Sequence, residues 1–477
     1  MTMMKKVINR LILRKPSEYS PRWLSTASEK SIPVAQPRTK RSLLFDKVKT
    51  NPKSSITDIL NDYQNNGNIL NRFEATSLSN YFRKRKNYQS TLQLFEWMES
   101  NKLRITNADQ AIQIDLLYKT KDLASAEEYF NSLQDSEKTN KTYGALQSCY
   151  CKEKALDKAL DIFEKMKVLK YMSLLNYNNM LSLYYNIGQP EKVVSLVQEM
   201  EEKNFVPNLY TYNLLINSYA ALKNLDAVEE ILERMESKNV KCDLFTYGNL
   251  ATIYFNAGLH EKANTYLVMM EKMENAPSED MFEAARTRIK LYSEMNDLSG
   301  VNRAWDSLKS TFPTPNNTSY LFILLALSKL GDLERLESLF KEWENGCSYY
   351  DYRLPNVILE YYLKHNMNDK ANALYTSMIN RETAPNLRTL NLFATLCIKN
   401  SDIDLALKYL EMGVDIAGSK KRNWFPPDET VKLFLDYFEE EKDADIAEKF
   451  VQSMKKISHI DSKVYDYLLS NITASDA

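Results

Sequence analysis

Residues 209–243 read LYTYNLLINSYAALKNLDAVEEILERMESKNVKCD and carry the pattern from which the fold follows. Apolar and aromatic residues recur at i, i+3, i+4 and i+7 from Tyr212 in the first half and from Val228 in the second half. This spacing predicts one apolar stripe on each of two helices. Asp226, with Glu229 three residues later, is the expected capping box of the second helix. Two helices of this size cannot bury both stripes against each other, so they need neighbours of the same kind.

The pattern of the second helix, a short turn followed by an apolar stripe, recurs eleven times along the chain. The copies are 33 to 35 residues apart, except for two intervals of 38 and 41 residues. They begin at Lys86, Lys121, Lys154, Gly188, Lys223, Gly258, Asn296, Gly331, Asn366, Ser401 and Lys442. The same register predicts first helices that begin near residues 72, 107, 140, 174, 209, 244, 282, 317, 352, 387 and 429. This regularity predicts an all-α array of about eleven helix-turn-helix units.

The composition argues against catalysis. Ten glycines among 477 residues disfavour a glycine-rich phosphate loop, and the five cysteines have no zinc-ligand spacing. The three histidines, His260, His365 and His459, lie far apart in the sequence. We therefore expect no enzymatic activity, no metal or other cofactor and no small-molecule substrate. No apolar run approaches the ~18 residues of a membrane span, so no membrane span is expected.

Residues 1–28 differ from the rest of the chain. The first 24 residues contain six basic residues and one acidic residue, with an apolar face between Val7 and Ile12. This acid-poor, amphipathic pattern is typical of a mitochondrial transit peptide, and it predicts the mitochondrial matrix as the location. A disordered basic tail and a chloroplast address are the alternatives. Removal of residues 1–24 would change the net charge from −1 to about −6, so nucleic acid could bind only in a locally basic groove.

The remaining chain is divided by composition and register. Residues 29–41 are expected to form a flexible linker, and residues 42–71 an N-terminal cap or a degenerate repeat. The array is assigned to residues 72–463, and a terminal helix and tail to residues 464–477.

Short marks recur where one repeat ends and the next begins. Thr211-Tyr212-Asn213 opens a first helix, and the preceding repeat closes with Val206-Pro207-Asn208; related marks are Tyr177-Asn178 and Ala384-Pro385-Asn386. With the 35-residue period, residues 72–463 resemble pentatricopeptide repeats of the P type and are similar to a subgroup of plant mitochondrial members. The rival helical hairpin, the tetratricopeptide repeat, has a period of 34 residues and different marks. The resemblance implies a right-handed α-solenoid whose first helices line a concave face that holds single-stranded organellar RNA.

The resemblance also implies how bases are read. One base per repeat contacts the fifth residue of the first helix and the last residue of the repeat, while the second residue packs on the face of the base. The pairs that fit are Asn178 with Asn208, Asn213 with Asp243, Asn356 with Asn386, and Asn391 with Asp428. The first pair resembles a pyrimidine reader that favours C, the third a pyrimidine reader, and the second and fourth resemble U readers. The fourth pair requires residues 418–424 to loop out. The expected stacking residues are Leu175, Tyr210 and Phe245.

The other repeats depart from this pattern, and at later repeats the stacking position holds Glu283, Thr318, Arg353 and Arg388. We therefore expect modest selectivity, with a bias towards pyrimidine–U steps. An asparagine in the first turn of a helix also has a simpler interpretation, as a cap or a solvent-facing residue. Arg83–Lys86, and Lys420–Arg422 with Trp424, are weaker candidates for RNA or protein contacts.

Two functions follow from this pattern. One is binding of an organellar transcript in support of its processing, stability or translation. The other is a structural role associated with the mitochondrial ribosome. Contacts with other RNA-processing proteins are compatible with either function.

Overall fold

The computed structural model describes residues 43–50, 54–273, 278–381, 384–419, 424–441 and 443–456. The predicted transit peptide, the linker at 29–41 and the terminal helix at 464–477 lie outside these residues. Within the described residues, every regular element is an α-helix, and there are 24 of them, which confirms the all-α prediction. The chain divides into two compact units, Met1–Lys241 and Cys242–Ala477, which are described separately.

The first unit contains twelve of the described helices. They are α1 (Leu43–Thr50), α2 (Ile56–Asn65), α3 (Arg72–Lys84), α4 (Tyr88–Ser100), α5 (Asn107–Thr120), α6 (Leu123–Ser132), α7 (Asn140–Glu153), α8 (Leu156–Val168), α9 (Leu174–Asn186), α10 (Pro190–Glu202), α11 (Leu209–Ala221) and α12 (Leu225–Ser237). From α3 onwards, odd-numbered helices are the first helices of the predicted repeats.

The second unit contains the other twelve described helices. They are α13 (Leu244–Asn256), α14 (His260–Glu271), α15 (Ser278–Glu294), α16 (Leu298–Thr311), α17 (Asn317–Leu330), α18 (Leu333–Gly346), α19 (Arg353–Lys364), α20 (Asn368–Ile379), α21 (Leu387–Lys399), α22 (Ile403–Ser419), α23 (Asp428–Glu441) and α24 (Ala444–Lys455).

The turn between the two helices of a repeat explains the recurrent motif. Each of the eleven second helices, α4 to α24, begins two residues after the first residue of its motif, as Leu225 does after Lys223. That first residue has a positive φ in nine copies, for example 58° at Lys223 and 77° at Gly331. Glycine adopts this left-handed conformation freely and asparagine tolerates it, whereas lysine does so at a cost. Lys121 is an exception, with φ −122°.

The capping of α12 differs from the sequence prediction. Asn224 is the N-cap, and its side chain accepts a hydrogen bond from the backbone N–H of Ala227 at 3.0 Å. The predicted cap, Asp226, lies in the first turn of the helix instead. Here its negative charge can interact favourably with the positive end of the helix dipole.

The first helices begin within one residue of the predicted positions, except for α15. This helix begins at Ser278 instead of near residue 282 and is 17 residues long, whereas α11 has 13 residues. Helix α22, which precedes the second insertion, also has 17 residues. Part of each inserted stretch therefore lengthens a helix, which the periodicity alone did not indicate.

The stretch assigned to a cap or a degenerate repeat contains α1 and α2. Tyr63 of α2 donates a hydrogen bond from its hydroxyl to Glu74 of α3 at 3.3 Å, and Trp97 of α4 donates its indole N–H to Asn61 at 2.7 Å. Leu44 and Leu60 are fully buried in the same cluster. The helices α1 and α2 therefore cover the beginning of the array.

Tyrosine at the fourth position of a first helix joins the core to the second helix. In the first unit, Tyr177 packs edge-on against Phe163 and donates a hydrogen bond to Glu199 at 3.3 Å. In the second unit, Tyr320 donates one to Glu342 at 2.6 Å. Burial comes first among the causes that raise the pKa of Tyr177 to about 12, so the hydroxyl stays a donor at neutral pH. These repeated contacts fix the orientation of the first helix, including the neighbouring fifth position.

Candidate functional site

The structure brings Asn178 and Asn208 together where two repeats meet. Asn178 is the fifth residue of α9, and Asn208 is the N-cap of α11. The Asn208 Oδ1 atom accepts the backbone N–H of Thr211 at 3.1 Å, and the Nδ2 atom of Asn178 donates to the same oxygen at 3.4 Å. The capping bond holds Asn208 in place, so the two amides form one polar group at the junction.

Thr211, which the sequence analysis did not select, completes this group. Its hydroxyl accepts the backbone N–H of Asn208 at 3.3 Å and donates to the Oδ1 atom of Asn178 at 2.8 Å. Thr211 is fully buried, and Asn178 is only 4% exposed. The signal was present in the Thr-Tyr-Asn mark, whose threonine occupies the third position of a first helix.

Asn356 and Asn386 have a similar arrangement in the second unit. Asn386 caps α21 by accepting the backbone N–H of Thr389 at 3.0 Å. The Thr389 hydroxyl donates to the Oδ1 atom of Asn356 at 3.0 Å. Asn356 is 1% exposed, and its Nδ2 atom has no hydrogen-bond partner among the residues that the structure describes.

The predicted pair Asn213 and Asp243 is divided between the two units. Asn213 is the fifth residue of α11 and is buried. Asp243 is the exposed N-cap of α13, where it accepts the backbone N–H of Thr246 at 2.8 Å and the Thr246 hydroxyl at 2.7 Å. Each residue has the position that the sequence indicates, and the pairing of the two stays a prediction.

The predicted pair Asn391 and Asp428 differs from the others. Asn391 is the half-buried fifth residue of α21, but Asp428 is the first residue of α23. The carbonyl of Pro427 accepts the backbone N–H of Val431 at 3.1 Å, so Pro427 has the N-cap position. The register is therefore shifted by one residue from the predicted one. Proline has no polar side-chain atom to offer a base at this position.

The loop before α23 also includes Trp424, a weaker candidate for a contact. A Cβ atom at Gly413 would lie 2.7 Å from the Trp424 ring, so this glycine allows the indole to approach α22 closely. Trp424 is half-buried. The basic residues 420–422 lie outside the described residues.

The expected stacking residues differ in exposure. Leu175 is 45% exposed and Phe245 is 61% exposed, whereas Tyr210 is half-buried. Burial is the first cause that raises the pKa of Tyr210. Phe73, which the sequence analysis overlooked, is the second residue of α3 and is 79% exposed. Counting from the helix start would have found it.

Two arginines at the stacking position of later repeats are engaged in ion pairs. Arg353 donates from Nε to Asp351 at 2.9 Å, and Arg388 forms an ion pair with Glu360. A guanidinium group held by a carboxylate is less available to pack on a base. These two repeats therefore differ from those with Leu175 and Phe245 at the same position.

The described residues contain no group of three or more His, Cys, Asp or Glu side chains placed to hold a metal ion. Burial, the first-listed cause, raises the pKa of the Cys149 thiol to about 12, so it is a poor nucleophile at neutral pH. In the part of the chain that the structure describes, no helix is both long and apolar enough to cross a membrane.

Family models match the chain over adjoining segments. The PPR repeat matches residues 141–171 and 210–240, the PPR repeat family matches residues 172–221, and the pentatricopeptide repeat domain matches residues 230–285. The boundaries at residues 141, 172 and 210 lie within two residues of the starts of α7, α9 and α11. The matched segments therefore follow the helical hairpins.

Whole-chain comparisons extend this match. A mitochondrial pentatricopeptide repeat-containing protein of Arabidopsis thaliana is 35% identical over 88% of this chain and 82% of the relative. The large ribosomal subunit protein mL101 of Arabidopsis thaliana is 34% identical over 87% of this chain and 85% of the relative. The crystal structure of the maize pentatricopeptide repeat protein PPR10 has a TM-score of 0.50 at 17% identity, and the match covers 91% of this chain and 70% of PPR10. The chain belongs to the pentatricopeptide repeat proteins.

Proposed function

We propose that this protein binds single-stranded RNA in mitochondria through the residues at the junctions between repeats. The observation that carries the proposal is the group formed by Asn178, Asn208 and Thr211, with its counterpart at Asn356, Asn386 and Thr389. The same three residue types meet in the same register in both units. A cap alone would explain Asn208 and Asn386, but it would not explain why a second buried asparagine approaches each of them.

The chemistry of these groups suits the edge of a base. An amide side chain offers both a donor and an acceptor, as the Watson–Crick edge of a pyrimidine does. Leu175, three residues before Asn178, offers an exposed apolar surface for the face of the base. Single-stranded RNA is recognised in this way because its bases are free to leave the stack. Double-stranded nucleic acid would not present these edges.

The charge of the chain suits local rather than bulk attraction. The net charge is −1, and the removal of a transit peptide would make it more negative. Lys84, Arg85 and Lys86, at the end of α3, are exposed and offer phosphate contacts, and Arg85 lies 3.8 Å above the Tyr81 ring. Affinity that depends on few phosphates falls less steeply with salt than that of a strongly basic protein.

The location in mitochondria rests on two supports. Residues 1–28 have the composition of a mitochondrial transit peptide, and the Arabidopsis relative at 35% identity carries the word mitochondrial in its name. Residues 1–28 fused to a fluorescent protein test this directly. Import into mitochondria supports the proposal, and retention of the fusion in the cytosol would contradict it.

A binding assay tests RNA recognition. The full chain is titrated against a pool of single-stranded RNA, the same pool as DNA, and double-stranded RNA. We expect the single-stranded RNA to bind best, and we expect Asn178→Ala combined with Asn356→Ala to weaken that binding. Asn80→Ala, on the exposed surface of α3, is the matched control and should have no effect. Equal binding of all three nucleic acids, or no binding, would contradict the proposal.

A second function is favoured by one specific relative. The protein mL101, at 34% identity, is a large ribosomal subunit protein. A structural role in the mitochondrial ribosome would use the same array as a scaffold for ribosomal RNA and proteins. Sedimentation of mitochondrial lysate separates the two: co-migration of all the protein with a ribosomal subunit supports the scaffold, and migration with smaller RNA particles supports transcript binding.

A further inference from the structure

We propose that Thr211 and Thr389 determine which base their repeats accept, because they fix the orientation of the Asn178 and Asn356 amides. Each threonine belongs to the repeat after the one whose asparagine it holds. In this orientation the amide oxygen is occupied and the N–H group remains for the base. The inference rests on the proposed binding of RNA and names the residues that set its selectivity.

The Thr211 hydroxyl has one hydrogen, and its surroundings decide where that hydrogen points. The oxygen accepts the backbone N–H of Asn208 at 3.3 Å, so the hydrogen is free to donate elsewhere. The shortest acceptor is the Oδ1 atom of Asn178 at 2.8 Å. The Oδ1 atom of Asn208 lies at 3.0 Å, but it already accepts the backbone N–H of Thr211. The hydroxyl therefore donates to Asn178.

The opposite orientation of the Asn178 amide is disfavoured. Rotation by half a turn would exchange its nitrogen and oxygen, and the oxygen would then face the Oδ1 atom of Asn208. Two acceptors would oppose each other at the position where Nδ2 now donates at 3.4 Å. The amide oxygen is thus firmly bound, whereas the amide nitrogen has one long hydrogen bond and a second hydrogen for a ligand.

Asn356 shows the same asymmetry more strongly. Its oxygen accepts the Thr389 hydroxyl at 3.0 Å, and its buried nitrogen has no hydrogen-bond partner within the described part of the chain. A buried donor without an acceptor is unfavourable, and such groups in native proteins are uncommon. An acceptor on a base would satisfy it. Because Asn356 is 1% exposed, neighbouring side chains must shift for the base to reach it.

An amide that presents only its N–H group distinguishes the two pyrimidines. The N3 atom of cytosine is an acceptor, whereas N3 of uracil carries a hydrogen and is a donor. A fixed donor matches the first and opposes the second, because a donor that meets a donor loses its hydrogen bond to water without replacement. Free rotation of the amide would allow both bases. The two threonines should therefore favour C over U at their own nucleotides.

The test uses the full chain and a randomised pool of single-stranded RNA, whose bound fraction is sequenced. Thr211→Val keeps the shape of the side chain and removes the hydroxyl. We expect it to reduce the C-to-U ratio at one nucleotide by about threefold or more, which is the scale of one lost hydrogen bond. Thr211→Ser restores the hydroxyl and should restore the ratio. Thr389→Val should act in the same way at a different nucleotide.

Thr142→Val is the matched control. Thr142 is also buried at the third position of a first helix, but its hydroxyl bonds the backbone carbonyls of Glu137 and Thr139. The fifth residue of the preceding repeat is Ala111, which has no amide to orient. This variant should leave every base ratio unchanged, because it changes only local structure.

The outcomes separate the inference from the proposed function. An unchanged C-to-U ratio in both valine variants that still bind RNA would overturn the inference and leave RNA binding intact. The same change in Thr142→Val would also overturn it. Failure of the unaltered chain to enrich any sequence would overturn both. If circular dichroism shows that one valine variant is unfolded, the other decides the question.

Discussion

Asn178 and Thr211 are 33 residues apart in the sequence and are joined by a hydrogen bond of 2.8 Å between two buried side chains. The bond links the fifth position of one first helix to the third position of the next. The residue expected to read a base is therefore held by the following repeat. Its interpretation as a simple helix cap does not apply, because Asn208 is the cap at this junction.

Replacement of the cap residue Asn208 by alanine should affect both stability and RNA binding. The loss of its bond to the Thr211 N–H should lower the free energy of unfolding by about 1 kcal/mol. Asn71→Ala is the matched control, because Asn71 caps α3 through Glu74 but lies in no predicted base-reading pair. Urea denaturation should show similar losses for both variants, and a titration with RNA should show weakening only for Asn208→Ala. Equal RNA affinity of the two variants would contradict the role of Asn208.

Exposed aromatic residues at the second position should contribute to binding and not to folding. Phe245→Ala and Phe73→Ala should each weaken single-stranded RNA binding by about 1–3 kcal/mol where a base stacks on the ring. The melting temperature should hardly change, since both rings are mostly exposed. Val206→Ala, another exposed apolar residue, lies in the turn before α11 and should change neither property. Loss of helicity in the phenylalanine variants would show a structural role instead.

The sequence predicted the helical hairpins closely because their period is set by local physics. The turn needs a left-handed residue two positions before the second helix, and nine of the eleven motifs supply one. The starts of the first helices follow from the same register. The start of α15 at Ser278 could not be predicted, because an insertion can either form a loop or extend a helix, and the apolar pattern fits both.

Replacement of Lys223 by glycine should stabilise the protein. Lys223 has φ 58°, a conformation that costs a residue with a Cβ atom free energy and that glycine adopts without strain. We expect a gain of about 0.5–1 kcal/mol in the free energy of unfolding. Lys121 occupies the same place in its motif with φ −122°, so Lys121→Gly should instead lose stability. Thermal melts of the two variants should shift in opposite directions.

The pH dependence of stability should include a contribution from Asp109. Burial alone would raise the pKa of this carboxyl group, but hydrogen bonds from Arg72 and Thr106 outweigh it and lower the pKa below 3.8. The Arg72 guanidinium donates at 2.8 Å and the Thr106 hydroxyl at 2.7 Å. Since the folded pKa is the lower one, this stabilisation is present above pH 3.8 and is lost as the pH falls towards the folded pKa.

The matched variant for this prediction is Asp109→Asn, which cannot ionise. Urea denaturation at pH 5 should show the unaltered chain to be more stable by up to about 2 kcal/mol, the scale of hydrogen bonds to a charged group. The difference should shrink as the pH is lowered to 2.5. A difference that stays constant over this range would contradict the assignment.

The candidate site was only partly predictable. The sequence placed Asn178, Asn208, Asn356 and Asn386 correctly on helices, because caps and fifth positions follow from the register. It did not indicate that the fifth-position amides are buried, since burial depends on how the next repeat packs. The shift at Asp428 was missed for a related reason: only the backbone shows that Pro427 has the N-cap position.

The central claim is that this chain binds single-stranded RNA through the junction amides, and crosslinking inside mitochondria tests it most directly. The full chain and its Asn178→Ala, Asn356→Ala double variant are crosslinked to RNA with ultraviolet light, and the bound RNA is sequenced. The account predicts narrow footprints on few transcripts, outside ribosomal fractions, that are lost in the double variant. Footprints that are unchanged in the double variant, or that fall on ribosomal RNA alone, would contradict it.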